Sequence, residues 1–103
     1  MKKLFLGLSL VLSQFCNAET VATARNSGGG LIVLTDVSCT KESGFVAYSN
    51  HPSARTQFGC WWSDSTMVHI TWSDGDFRSY ELSGWTVNTE TANRLRKRER
   101  SNL

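Results

Sequence analysis

The middle of the chain contains short stretches in which apolar and polar residues alternate, a pattern typical of β-strands. Residues 66–72 alternate strictly, so Val68, Ile70 and Trp72 share one face of the predicted strand. Further stretches rich in β-branched, aliphatic or aromatic residues predict strands at 31–37, 45–49, 55–62 and 76–82. Together they predict an all-β fold, a small antiparallel β-meander of about five strands that can curl into a barrel.

The loop between the last two predicted strands decides which of their residues lie in the core. A three-residue loop at 73–75 pairs Trp72 with Asp76 and leaves Phe77 facing outward, whereas a two-residue loop pairs Trp72 with Phe77. We predict the three-residue loop, because it brings Tyr80 to the apolar face and gathers the apolar side chains of both strands together.

The segments on either side of these strands lack a sustained apolar period. Residues 19–30 end in three consecutive glycines, which predicts a flexible leader. Residues 88–103 contain good helix formers but no evident apolar face, so we expect a polar basic tail that is disordered or a frayed helix. The β domain is therefore assigned to residues 31–87.

The N-terminus has the layout of a secretory signal peptide. Lys2 and Lys3 precede an apolar run at 4–12, which is too short to cross a bilayer as a helix. Ala18 provides the small residue that signal peptidases accept before the cut. We therefore expect residues 1–18 to be removed and the mature protein to be exported, either to the periplasm or out of the cell.

The cysteines are consistent with export. Cys16 leaves with the signal peptide, and Cys39 and Cys60 remain as a pair. In an oxidising compartment such a pair predicts a disulfide, which closes a loop of about 20 residues and stabilises a small domain by about 3 kcal/mol. Two buried free thiols are the alternative. A lipid anchor on Cys16 is a minor alternative to cleavage, because the preceding Phe15 is large for that processing.

The charge of the chain is concentrated at its C-terminus. The full sequence has 11 basic and 9 acidic residues, and the loss of Lys2 and Lys3 would leave the two counts equal. Five of the basic residues lie within 94–100, with Glu99 as the one acidic residue there. This basic run predicts weak, salt-sensitive contact with an anionic membrane. Because no aromatic residue interleaves the run, we expect no specific nucleic-acid partner.

A run of residues in the predicted sheet resembles a known group of proteins. The run passes from Phe58-Gly59-Cys60-Trp61 through Trp72 and the Asp74-Gly75 turn to Tyr80. It resembles small exported, largely uncharacterised proteins of bacteria and their phages, over roughly residues 29–87, and the resemblance implies no known activity. The hairpin is also weakly similar to those of SH3-like barrels, which have a strand that ends in an aromatic residue, an Asp-Gly turn and a return strand.

Candidate catalytic and metal-binding residues are few. His51 and His69 are the two histidines of the chain, and no serine lies in a Gly-x-Ser-x-Gly frame. Asp74 and Asp76 flank a glycine, but a hairpin turn accounts for carboxylates at these positions. We therefore predict no enzymatic activity, no cofactor and no metal site.

The aromatic residues give the functional hypothesis. Trp61 and Trp62 are adjacent, so in a strand they point to opposite faces, and which of the two is exposed stays open. We assign Trp61, Phe77 and Trp85 to a candidate binding surface, because exposed aromatic side chains mark binding sites. The sequence predicts an exported binding module that contacts an extracytoplasmic protein or glycan. The alternative is a structural, self-assembling protein of the cell envelope.

Overall fold

The computed structural model describes residues 18–26 and 28–101. Nearly all of the predicted signal peptide, Cys16 included, lies outside the described residues. Within them the chain forms seven β-strands, one short 3₁₀ turn (Leu82–Gly84) and one α-helix. The strands are β1 (Thr20–Arg25), β2 (Leu31–Ser38), β3 (Phe45–His51), β4 (Ala54–Ser63), β5 (Met67–Trp72), β6 (Phe77–Glu81) and β7 (Thr86–Val87), and the helix is α1 (Thr89–Ser101).

All seven strands form one antiparallel sheet in the order β6-β5-β4-β3-β2-β1-β7. Six of them follow one another as a meander, which confirms the predicted all-β class, with two strands more than the five expected. β6 and β7 lie at opposite ends of the order, yet only residues 82–85 connect them. Such a link reaches about 18 Å, whereas the edges of a flat seven-stranded sheet lie about 29 Å apart. The sheet therefore has to curl, and it forms a half-barrel.

The core fills the inner, concave face of the half-barrel. One row of paired residues crosses four strands there: Leu34, Ala47, Gly59 and Trp72. Gly59 is required in this row, because a Cβ atom would lie 2.6 Å from the Thr71 carbonyl oxygen and 3.0 Å from the Trp72 ring. The absence of a side chain thus lets the indole ring of Trp72 lie against β4, where it is buried.

The 19–30 segment is not a flexible leader. Residues 20–25 form β1, which pairs with β2 on one side and with β7 on the other. A bulge near the start of β1 shifts the register, and both Val21 and Ala22 are buried. The glycines that follow belong to an ordered turn, in which the Asn26 side chain accepts hydrogen bonds from the N–H groups of Gly28 and Gly30 at 3.1 and 2.9 Å.

Within the basic C-terminal segment, Thr89–Ser101 form α1, which corrects the prediction of a disordered tail or frayed helix. The Asn88 side chain accepts a hydrogen bond from the Thr91 N–H at 3.3 Å and so caps α1 at its start. Thr91 and Leu95 are buried, and Ala92 packs against the same core. These positions form a narrow stripe along one side of the helix, sufficient to dock it on the sheet. No helix in the described residues is long and apolar enough to span a membrane.

The β5–β6 hairpin has the predicted three-residue loop. The Trp72 N–H donates to the Asp76 carbonyl oxygen at 2.7 Å, and Gly75 has a positive φ of 91°. Val68 consequently pairs with Tyr80. Phe77 faces outward, as expected, with 56% of its surface exposed.

The predicted disulfide joins Cys39 to Cys60, whose Cα atoms lie 6.2 Å apart. Cys39 follows β2 and Cys60 lies within β4, so the bond ties the β2–β3 loop across β3. A disulfide at this place is consistent with an oxidising, extracytoplasmic compartment.

Candidate functional site on the outer face of the sheet

Exposed aromatic side chains gather on the outer, convex face of the half-barrel. Phe58 and Trp62 lie four residues apart on the outer side of β4, each two residues from Cys60. Phe77 lies on the outer side of β6. Their exposed fractions are 55% for Phe58, 49% for Trp62 and 56% for Phe77. With His69 of β5 between them, we call these residues the outer aromatic surface.

The imidazole of His69 lies between two of these aromatic rings. The ring centroids of Trp62 and His69 are 4.2 Å apart, and those of His69 and Phe77 are 5.9 Å apart with nearly parallel planes. The sheet register produces this arrangement, because Trp62 pairs directly with His69 across β4 and β5. Ring contacts of this kind restrict the rotation of the imidazole.

His69 also joins a hydrogen-bonded row with a carboxylate and a hydroxyl group. Its Nε2 lies 2.8 Å from Asp64 Oδ2, and its Nδ1 lies 2.7 Å from Ser79 Oγ. A carboxylate accepts hydrogen bonds only, so Nε2 carries the proton of the neutral imidazole. Nδ1 is then unprotonated and accepts the hydrogen bond that the Ser79 hydroxyl donates.

Asp64 is held rigidly in the turn that precedes β5. Its Oδ1 accepts hydrogen bonds from the N–H groups of Thr66 and Met67, both at 2.8 Å, and from the Thr66 hydroxyl at 3.0 Å. The hydrogen bond with His69, followed by those from the turn, lowers the pKa of the Asp64 carboxyl far below its ordinary value. Asp64 therefore stays ionised at any physiological pH and fixes the orientation of the imidazole.

The structure places the predicted surface residues in different environments. Phe77 is part of the outer aromatic surface. Trp61 is buried, with 5% of its surface exposed, and its indole N–H donates to the Thr35 carbonyl oxygen at 2.9 Å. Its assignment to an exposed surface is wrong, because the register pairs Trp61 with Phe45 and Ile70 on the inner face.

Trp85 is likewise remote from the outer aromatic surface. It is half-buried, packs against the core and makes an edge-to-face contact with Tyr80 at 5.9 Å. Trp85, Trp61 and Leu95 line a groove of about 330 Å³ between α1 and the inner face of the sheet. The exposed tryptophan of the adjacent pair is thus Trp62.

The other residues weighed for chemistry have local structural roles. His51 Nδ1 lies 3.1 Å from the hydroxyl of Ser53 within a turn. Asp74 Oδ1 accepts the Asp76 N–H at 2.9 Å, and Asp76 pairs with Arg78 at 2.8 Å. Among residues 18–26 and 28–101, no group of three His, Cys, Asp or Glu side chains could hold a metal ion.

Part of the basic run is tied to the sheet. Arg94 forms an ion pair with Glu19, and Arg98 donates to the Asp36 carbonyl oxygen at 2.8 Å. These contacts engage two of the five positive charges that the sequence placed in 94–100. The remaining ones, Arg96, Lys97 and Arg100, are exposed on α1.

Comparisons with protein-family models, with curated proteins and with solved structures find no match to this chain. The outer aromatic surface and the groove beneath α1 are therefore identified from the geometry of this chain alone.

Proposed function

We propose that this protein is an exported binding module that contacts an extracytoplasmic protein or glycan through its outer aromatic surface. The observation that carries the proposal is the exposure of Phe58, Trp62 and Phe77 on one face of one small sheet. Aromatic side chains provide large, rigid contact areas, and exposed clusters of them mark sites of recognition.

The position of the surface supports a binding role rather than a role in folding. The inner face of the sheet and α1 together supply the core, in which Ile70 and Ala47 are fully buried. The outer rings add little to that core, although a small domain gains most from burying its aromatic residues. Aromatic side chains that stay exposed in such a domain are available to be covered by a bound ligand.

Export is supported by the N-terminal sequence and by the disulfide. Lys2, Lys3 and the apolar run at 4–12 have the layout of a signal peptide. The Cys39–Cys60 bond would persist in the periplasm or outside the cell, where thiols are oxidised. The exposed part of the basic run adds weak attraction to anionic envelope surfaces. The likeness to small exported proteins of bacteria and phages agrees with this setting.

A structural, self-assembling role is the second candidate. β6 is an edge strand of the sheet, and β-strands with open edges can pair with further strands. Its charged residues Arg78 and Glu81 oppose such pairing, since charges on edge strands are a common protection against association.

The binding proposal is tested by affinity capture with the mature, oxidised domain immobilised and cell-envelope extract applied. We expect a specific protein or polysaccharide to be retained by the wild type and lost with Trp62→Ala. Val37→Ala is the matched control, because Val37 is also exposed, at 42%, but lies near the end of β2.

Treatment of the extract with protease before capture separates the two ligand classes, since a glycan survives it and a protein does not. The proposal fails if the wild type retains nothing, or if Trp62→Ala retains the same material as the wild type.

A further inference from the structure

The Asp64–His69–Ser79 row has the arrangement of a serine nucleophile with its base and an orienting carboxylate. The two hydrogen bonds, 2.7 Å to Ser79 and 2.8 Å to Asp64, occupy both nitrogens of one imidazole. A base oriented in this way is what converts a weakly nucleophilic hydroxyl into a reactive one. We propose that Ser79 is the nucleophile of an acyl-transfer site that cleaves carboxylic esters.

The position of the proton on the His69 imidazole agrees with this role. Asp64 holds the proton of His69 on Nε2, so Nδ1 is available to take the Ser79 proton. Asp64 is itself fixed by three donors from Thr66 and Met67, so it cannot turn away from the imidazole without breaking the turn. Asp64 is therefore a positioning residue, and Ser79 and His69 are the residues that meet the substrate.

Ser79 is accessible to a substrate and has a hydrogen-bond donor beside it. It is exposed and lies in β6, the edge strand of the sheet. The Trp72 N–H donates to Asp76, so the antiparallel pattern turns the main-chain groups of residues 76, 78 and 80 toward β5. The N–H of Ser79 then points away from β5, where it can donate to the oxyanion that forms during attack.

The neighbouring rings suggest the type of ester. Phe77 lies two residues before Ser79 on the same outer face, and 56% of its surface is exposed. Together with Trp62 on the other side of His69, it offers an apolar contact beside the reacting hydroxyl. We expect an ester that carries an apolar or aromatic group next to the carbonyl carbon.

The reaction balances with water as the only co-reactant. Ser79 Oγ bonds to the ester carbonyl carbon while its proton passes to His69 Nδ1. The bond from that carbon to the alcohol oxygen then breaks, and the departing alkoxide takes the proton from Nδ1. Water attacks the acyl-serine by the same proton route, which releases the carboxylic acid and restores the Ser79 hydroxyl.

Covalent labelling of the oxidised wild-type protein with an alkyl fluorophosphonate tests the proposal directly. Peptide mass analysis is expected to find the phosphonyl group on Ser79, with fluoride released. Ser53 is an internal control, because its hydroxyl lies 3.1 Å from His51 Nδ1 in a pair without the carboxylate found at His69. We expect Ser53 to remain unlabelled under conditions that modify Ser79 fully.

Variants then assign the roles. Ser79→Ala should lose the label, and His69→Gln should lower the labelling rate at least 100-fold. Asp64→Asn should lower it at least 10-fold, since an asparagine keeps the turn contacts but not the charge. Asp74→Ala is the control for the fold, because it removes the turn hydrogen bond that Asp74 accepts from the Asp76 N–H and leaves the three residues of the row unchanged. It should label at the wild-type rate, which separates orientation of the base from support of the fold.

Hydrolysis of a p-nitrophenyl acyl ester provides the second readout, and the wild type should exceed Ser79→Ala at least 10-fold. The proposal is overturned if Ser79 stays unlabelled in the folded wild type, or if it is labelled no faster than Ser53. An unchanged rate of Ser79 labelling in His69→Gln would also contradict the proposal. A wild-type protein that captures nothing from envelope extract but is labelled at Ser79 would refute the binding function and leave this site standing.

Discussion

Trp61 and Trp62 are adjacent in β4 and have opposite surroundings. Trp61 lies on the inner face between β3 and β5, and its indole N–H is bonded to a buried carbonyl group. Trp62 lies on the outer face with about half of its surface in water. Because side chains alternate between the two faces of a strand, one tryptophan stabilises the core and the other lies on the exposed surface.

Replacement of each tryptophan by alanine should separate these roles. We expect Trp61→Ala to lower the free energy of unfolding by about 3 to 5 kcal/mol, because it empties a large core position and leaves the Thr35 carbonyl oxygen without its donor. Trp62→Ala should cost less than about 1 kcal/mol, since most of what it loses is surface contact.

Urea unfolding of the oxidised proteins, followed by circular dichroism, measures both values. Equal losses of stability in the two variants would contradict the division of the pair between the faces.

At the scale of elements, the strands were accessible from sequence wherever one face is apolar and the other polar. Residues 66–72 show this pattern without a break, and the structure has β5 there. The loop at 73–75 was also predictable, because only a three-residue loop gathers the apolar side chains of β5 and β6 on one face. The same register pairs Ser79 with His69, so the proximity of these two residues of the Asp64–His69–Ser79 row follows from the sequence.

Other elements have sequence patterns too weak to predict them. β1 is built from small residues, alanine and threonine, and its bulge buries the neighbours Val21 and Ala22, which destroys the alternation. α1 docks through Leu95 and smaller residues among many charges, so its apolar stripe is narrow. Asp64 reaches His69 only because its turn folds back, a geometry that spacing along the chain does not reveal.

The docking of α1 predicts a large effect at one residue. Leu95 is 5% exposed and packs in the core beside Val21 and Trp61. Leu95→Ala should lower the free energy of unfolding by about 2 to 5 kcal/mol, a large part of the stability of a small domain.

The neighbouring Arg96→Ala is the matched control and should change stability by no more than about 0.5 kcal/mol, because Arg96 is exposed. Chemical unfolding monitored by the helical circular dichroism signal measures both variants. Little effect of Leu95→Ala would mean that the helix is a solvated tail, as the sequence first indicated.

At the scale of the whole molecule, the half-barrel separates two kinds of surface. Curling directs the inner face toward α1, so the apolar core is enclosed by one sheet and one helix. The outer face is left on the convex side, where Phe58, Trp62 and Phe77 are exposed. Cys60 lies between Phe58 and Trp62 on the outer side of β4, so the disulfide fixes the β2–β3 loop to β4 on this same outer face.

The size of that outer surface predicts the oligomeric state. Phe58, Trp62 and Phe77 together expose on the order of 300 to 400 Å², given the usual areas of aromatic side chains. A stable protein–protein interface needs about 800 Å² from each partner. We therefore expect a monomer at micromolar concentration in analytical ultracentrifugation, with the same sedimentation for the wild type and Trp62→Ala. A dimer that dissociates with Trp62→Ala would instead favour self-assembly through the outer aromatic surface over binding of another molecule.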